Sequence, residues 1–301
     1  MSHGTGSTGG KIVYQMERVP ENGDYSEALT ALILRDNVPE RRTVYFDGTH
    51  SRAEEINFDY GVKSPVIRLR EVGRATTLYC KEFPHVHFCV EQPDAIAATG
   101  PAPILELTDE HATVAGFACR KAIYNNLTQK REVFFTDKLH VDDPTGAVYR
   151  IDGVPGLIVQ WQAGGERVTV AEASFAQPAA SLFGMPTGFR KLANVDEARA
   201  EERRALDVEA AQHPATAEER ARFVGHWRLA TAPDDIQVDI IADGDAYVFR
   251  TTEHGKPTDE RATMKGSALQ VDEPPNFRLY RVTGDQLVRV GSDAWRFRRV
   301  P

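Results

Sequence analysis

The chain has 301 residues, 41% hydrophobic and 27% charged, with a net charge of -8 at neutral pH. That length suits two domains, and the balance excludes collagen, a long coiled coil and wholesale disorder. The acidic excess argues against a nucleic-acid binder or a polybasic membrane-surface binder. No apolar run reaches about 18 residues, so no helical membrane span is expected.

The opening MSHGTGSTGGK has no apolar stretch. Residues 1–10 read as a flexible leader without a secretory signal. Gly4, Gly6 and Gly9 spell G-x-G-x-x-G, but no strand precedes them, so the dinucleotide reading fails. Lys11–Arg18 alternates, with Ile12, Tyr14 and Met16 on one side, and reads as a strand. Pro20–Asp24 is a turn cluster, and Ala28–Arg35 is an apolar run of either type. Arg42–Phe46 is strand-like, and Asp47-Gly48 signals a hairpin into Ser51–Asn57. Val66–Val72 and Thr76–Lys81 read as a strand pair around Gly73, followed by a short β-prone Phe83–Val90. Ala95–Pro103 is a loop. Ile104–Leu107, Thr113–Ile123, Glu132–Phe135, Leu157–Trp161 and Val168–Ala173 complete the series of strands.

The texture changes after Ala193. Val195–Gln212 is rich in Glu, Arg and Ala, which are strong helix formers. Pro214 breaks the segment, and Thr216 with Glu219 spells a capping box for a second, shorter helix. From Phe223 onward eight short β-prone runs are separated mostly by turn residues such as Asp243-Gly244, His254-Gly255 and Gly284-Asp285. Even spacing with short connections predicts an up-and-down antiparallel barrel, tight enough to leave little cavity.

Three residues carry the sharpest chemical expectation. In an extended strand His85, His87 and Cys89 point to one face. Two imidazoles and a thiolate at that spacing are competent ligands for zinc or copper, with Cys80 or Glu91 as a fourth. The competing reading has the histidines packing and Cys89 in a disulfide or in the core. With three cysteines, Cys80, Cys89 and Cys119, one disulfide and a spare thiol or three free thiols are both open. The acid pairs Glu54-Glu55, Asp109-Glu110 and Asp142-Asp143 read as surface charge, and His111 as a solvated loop residue. Asn126-Leu-Thr128 fits a glycosylation sequon. No Gly-x-Ser-x-Gly elbow and no H-E-x-x-H motif occurs.

Four ordered stretches between about Glu106 and Lys191 carry a family resemblance. They are Thr113-Val-Ala-Gly-Phe-Ala-Cys-Arg-Lys-Ala122, Glu132-Val-Phe-Phe-Thr-Asp137, Gly153-Val-Pro-Gly-Leu-Ile158 and Ser181-Leu-Phe-Gly-Met-Pro-Thr-Gly-Phe-Arg-Lys191. Phe46-Asp-Gly-Thr-His-Ser-Arg52 stands where a preceding hairpin is expected. Together they resemble the GLPGLI family of bacterial envelope proteins. The resemblance implies a strongly curved antiparallel sheet, similar to the half-barrels of lipoprotein carriers, with an apolar concave face. It also implies a periplasmic or envelope location, whereas the leader as it stands fits the cytoplasm. Gly225-His-Trp227 resembles the G-x-W of a lipocalin's first strand. That likeness implies an indole closing the barrel floor under a late-strand arginine, Arg296 or Arg298.

The expected fold is therefore mainly β: a leader at 1–10, a half-barrel at 11–193, a helical connector at 194–221 and a small eight-stranded barrel at 222–301. The expected function is a non-catalytic envelope protein holding an apolar, peptide or metal ligand, with Trp161 and Phe175 as apolar wall residues if the concave face binds. The alternative is an enzyme or pathway protein that shapes a small substrate in a β-barrel cavity.

Overall fold

A computed structural model describes residues 9–19, 40–59, 62–93, 104–125, 130–141, 143–144, 151, 153–163, 166–230, 236–273, 276–290 and 295–300. The expectations at Pro20–Asp24, Ala28–Arg35, Ala95–Pro103 and Asn126–Thr128 lie outside the described residues, as does most of the leader. The chain is mainly β. It contains a large curled sheet and a closed antiparallel barrel of eight strands, with a helical stretch between them in sequence.

Two compact units divide the chain. The first takes Met1–Asn57, Ser64–Glu82 and His87–Arg199; the second takes Phe58–Lys63, Phe83–Val86 and Ala200–Pro301. In the first unit β1 (Gly10–Arg18), β2 (Arg41–Phe46), β3 (His50–Asp59), β4 (Val62–Glu71), β5 (Thr76–Phe83) and β6 (Val86–Pro93) are successive neighbours. So are β7 (Ile104–Val114), β8 (Phe117–Asn125), β9 (Lys130–Thr136), β10 (Leu157–Ala163) and β11 (Glu166–Ser174). The antiparallel pairing of β1 with β11 joins the two runs into one twelve-stranded sheet. β7 is the strand at one edge. At the other, the two-residue β12 (Arg190–Lys191) runs parallel to β6.

Alternation explains the sheet's core. Along β2, Arg42, Val44 and Phe46 are buried in turn, and along β10 Leu157, Val159, Trp161 and Ala163 are. All but Arg42 join Ile12, Tyr14, Val133, Phe135 and Val168 in one apolar core cluster. The Tyr14 hydroxyl donates to the Ile158 carbonyl at 3.0 Å inside it.

Local turn chemistry sets the hairpins. Asp47 Oδ1 accepts from the backbone N–H groups of Thr49 at 2.9 Å and His50 at 2.6 Å, and so pins the turn between β2 and β3. Thr113–Ile123, expected as one strand, is split instead: Ala115 and Gly116 both take positive φ, 49° and 82°, and make the two-residue turn between β7 and β8. Gly156 sits at φ 152°, where an added Cβ would lie 2.1 Å from the Thr136 carbonyl oxygen. Only glycine permits that approach of the loop to β9.

The connector forms α1 (Val195–Gln212) and α2 (Ala217–Phe223). Thr216 and Glu219 make the capping box reciprocally: the Thr216 hydroxyl accepts from the Glu219 N–H at 3.2 Å, and a Glu219 carboxylate oxygen accepts from the Thr216 N–H at 2.9 Å. The barrel strands follow as β13 (Gly225–Leu229), β14 (Ile236–Asp243), β15 (Ala246–Glu253), β16 (Lys256–Lys265), β17 (Ala268–Glu273), β18 (Asn276–Thr283), β19 (Gln286–Arg289) and β20 (Arg296–Arg299). β20 pairs back onto β13 and closes the barrel. Its interior is filled by Trp227, Val238, Ile240, Phe249, Leu269, Val271, Tyr280, Leu287 and Phe297.

Candidate functional site

The structure corrects the ligand triple. β5 and β6 are joined by a two-residue turn, Pro84-His85, and His85 has φ 64°. His85 is therefore a turn residue and does not share a strand face with His87 and Cys89. Its Nε2 lies 3.1 Å from a Glu209 carboxylate oxygen. His87 instead packs its ring against Phe189, with centroids 5.4 Å apart.

The same tight turn sets Cys80 opposite Cys89 with Cα atoms 4.0 Å apart, and the two form a disulfide. Both are fully buried beside Leu69, Leu78 and Phe189. A disulfide sulfur is no thiolate, so Cys89 is not a metal ligand in this state, and Cys80 cannot be the fourth. Among the described residues no group of three or more His, Cys, Asp or Glu is placed to hold a metal ion.

Cys119 is the free cysteine, buried on β8 with its Sγ donating to the Phe117 carbonyl at 3.4 Å. Burial pushes its thiol pKa up, so its thiolate population at neutral pH falls below that of an exposed cysteine. Maleimide labelling of the native chain should therefore leave it unmodified. In denaturant one label should add, and three after reduction. More than one label before reduction would show the Cys80–Cys89 bond to be absent.

Trp161 and Phe175 sit in different surroundings. Trp161 is fully buried in the sheet's core cluster, under the Arg131 guanidinium at 5.4 Å from the ring. Its Nε1 has no hydrogen-bond partner among the described residues. Phe175 lies one residue beyond β11, is 46% exposed and stands outside that cluster.

Two of the acid pairs expected as surface charge supply buried carboxylates instead. Glu55 and Asp143 are 7% and 4% exposed. Register brings Tyr14, Arg42 and Glu55 into one row across β1, β2 and β3, so the core face turns from apolar to charged along the sheet. Arg42, 1% exposed, pairs with Asp143 and lies 3.8 Å from Glu55. Arg68 on β4 meets the other Glu55 oxygen and stacks over Tyr79 at 5.2 Å. Lys81 and Thr77 on β5 are buried on the same stretch, and the Thr77 hydroxyl donates to the Pro144 carbonyl at 3.5 Å. Buried charge of both signs survives in a protein only when paired and hydrogen-bonded, as here. The sequence signal was available: Arg42 begins the strict alternation that buries Val44 and Phe46. The acid pairs carried no such mark, since Glu54 and Glu55 point to opposite faces.

In the second unit the arginine over Trp227 is neither Arg296 nor Arg298 but Arg299. Trp227 is 1% exposed and its Nε1 donates to the Phe223 carbonyl at 3.0 Å. Arg299 stacks over the indole at 4.4 Å. Arg296 and Arg298 project from the opposite face of β20. Arg299 shares the inward face with Phe297 and is the register partner of Trp227. Its guanidinium also donates to the carbonyls of Val224, at 2.9 Å, and Arg222, and so caps the end of α2. Gly225 has φ 142°, and an added Cβ would meet the Arg299 Nη1 at 3.0 Å.

No protein-family model matches this chain, and no curated protein matches it. Among solved structures it is similar to PNGF-II in two crystal forms. The C2 form gives a TM-score of 0.42 with 10% identity over 81% of this chain. The P21 form gives 0.42 with 11% identity over 81%. This chain spans 40% and 41% of the length of those chains.

Proposed function

We propose that this chain is a non-catalytic binding protein of a bacterial envelope, and that its curled sheet holds an apolar or peptide ligand. One observation carries the reading: the buried Cys80–Cys89 disulfide, a bond that forms and persists in oxidising compartments and is rare in the cytosol. The GLPGLI resemblance supports the same compartment. The alternative, a substrate cavity inside the small barrel, is disfavoured by an interior occupied by Trp227, Phe249, Tyr280 and Phe297. A metal ligand set at His85, His87 and Cys89 is disfavoured, because the Cys89 sulfur is held in the disulfide.

Thiol trapping in intact cells, followed by native mass spectrometry of the purified chain, tests the proposal. The expected result is an oxidised Cys80–Cys89 pair and a retained organic or peptide mass. Cysteines fully alkylated at lysis, or a bare chain mass from every preparation, would overturn it.

A further inference from the structure

We propose that β7, the edge strand of the sheet, is a docking site for an extended peptide that alternates apolar and basic residues. The inference rests on the binding reading above and names a place and a chemistry for it.

β7 is the last strand of the sheet and pairs with β8 on one side; among the described residues no strand pairs with its other side. At eleven residues it is long for an edge. The opposite edge is handled differently, since β12 returns to cover β6 at Phe88 and Cys89. A free edge presents a row of backbone donors and acceptors, and adding a strand satisfies them. The two-residue turn at Ala115-Gly116 makes Val114 and Phe117 a hydrogen-bonded pair. In the antiparallel ladder the N–H and C=O of Thr113 and of His111 then point away from β8.

The side chains specify what would pair there. Leu105 and Leu107 lie opposite Tyr124 and Ala122 of β8, on the face that carries the core. Leu107 is nevertheless 42% exposed, because the core stops at the edge and nothing lies beyond it among the described residues. An added strand would cover it with its own apolar side chains. Three acids stand along β7: Glu106, on the face opposite Leu105 and Leu107, and Asp109 and Glu110 within the irregularity of the strand. Glu110 is engaged by Lys121 at 3.1 Å, which also reaches Glu132 at 3.3 Å. Glu106 and Asp109 are exposed and have no cationic partner among the described residues. Beside the regular pairs Leu105 to Leu107, a strand with period-two alternation would place apolar groups over Leu107 and ammonium or guanidinium groups beside Glu106, with Asp109 as a further exposed carboxylate close by in sequence.

A second copy of the chain fits poorly. Antiparallel self-pairing of β7 would set Glu106, Asp109 and Glu110 of one copy near those of the other, and like charges across strands repel.

The test uses the whole chain and a fluorescent synthetic peptide alternating lysine and valine. Controls are its glutamate-for-lysine counterpart and a peptide of the same composition in blocks. Binding is read by anisotropy, and the site by amide hydrogen exchange. The alternating basic peptide should bind and protect β7, more weakly as salt screens the charges. Both control peptides should bind at least about tenfold more weakly. Thr113→Pro removes an outward N–H without touching the bonds to β8, and should abolish binding. If that variant does not fold, the surface double variant Glu106→Lys with Asp109→Lys keeps the test sharp and should weaken binding by about tenfold or more. Equal affinity for all three peptides, protection confined to other strands, or a β7-mediated dimer would overturn the edge assignment. A chain that binds no peptide while retaining an endogenous ligand in the native spectrum would overturn this inference and leave the binding function standing.

Discussion

Replacing Trp227 by alanine will destabilise the protein by about 3–5 kcal/mol, the range for removing a large buried aromatic. The indole is 1% exposed among Phe223, Leu229, Val238 and Phe297. Its loss leaves a cavity in the barrel core and the Phe223 carbonyl without the Nε1 donor at 3.0 Å. It also takes away the platform on which Arg299 stacks. Equilibrium urea unfolding of the full chain measures the effect. Arg299→Ala should follow with a smaller loss, as it removes the stack and two carbonyl contacts at the end of α2. Arg298→Ala, on the outward face of β20, should stay within about 0.5 kcal/mol. A Trp227→Ala loss of that small size, or a larger effect from Arg298 than from Arg299, would mean that the barrel core is not packed in this way.

Arg42→Met should cost a comparable amount, about 3–5 kcal/mol, because breaking a buried ion pair from one side leaves charge in a dry place. Methionine restores much of the volume, so the loss reports charge rather than packing. Asp143 and Glu55 are both under one-tenth exposed and both face Arg42. The change removes a cation from a pair of carboxylates that water cannot reach. Combining Arg42→Met with Asp143→Leu should recover part of the loss, since an apolar replacement of a buried pair is often close to neutral. Chemical unfolding of the two variants checks the sign. A double variant less stable than Arg42→Met alone would show that Asp143 holds the fold through other contacts.

Features of this chain that were legible in its residues are those decided within a few positions. Period-two alternation located β1, because successive side chains of a strand must point to opposite faces, and evenly spaced β-prone runs between turn residues located the barrel strands. Thr216 and Glu219 announced α2, because capping is a contact across three residues. Asp47-Gly48 announced its hairpin for the same reason. Local signals failed where a residue's neighbours could be read two ways. The run from Phe83 to Cys89 looked like one strand, yet the turn at Pro84-His85 divides it and turns a ligand set into a disulfide and two separate histidines.

Tertiary structure alone decided the rest. Glu55 and Asp143 are far apart in sequence and look like any surface acids until Arg42 stands between them. Arg299 rather than Arg296 or Arg298 covers Trp227, because strand register puts it beside the indole. The open edge at β7 exists only because the sheet order ends there. Each of these depends on which distant segments come together, and composition and periodicity carry no information about that: alternation tells a side chain which face to take, while the pairing of strands determines what that face meets.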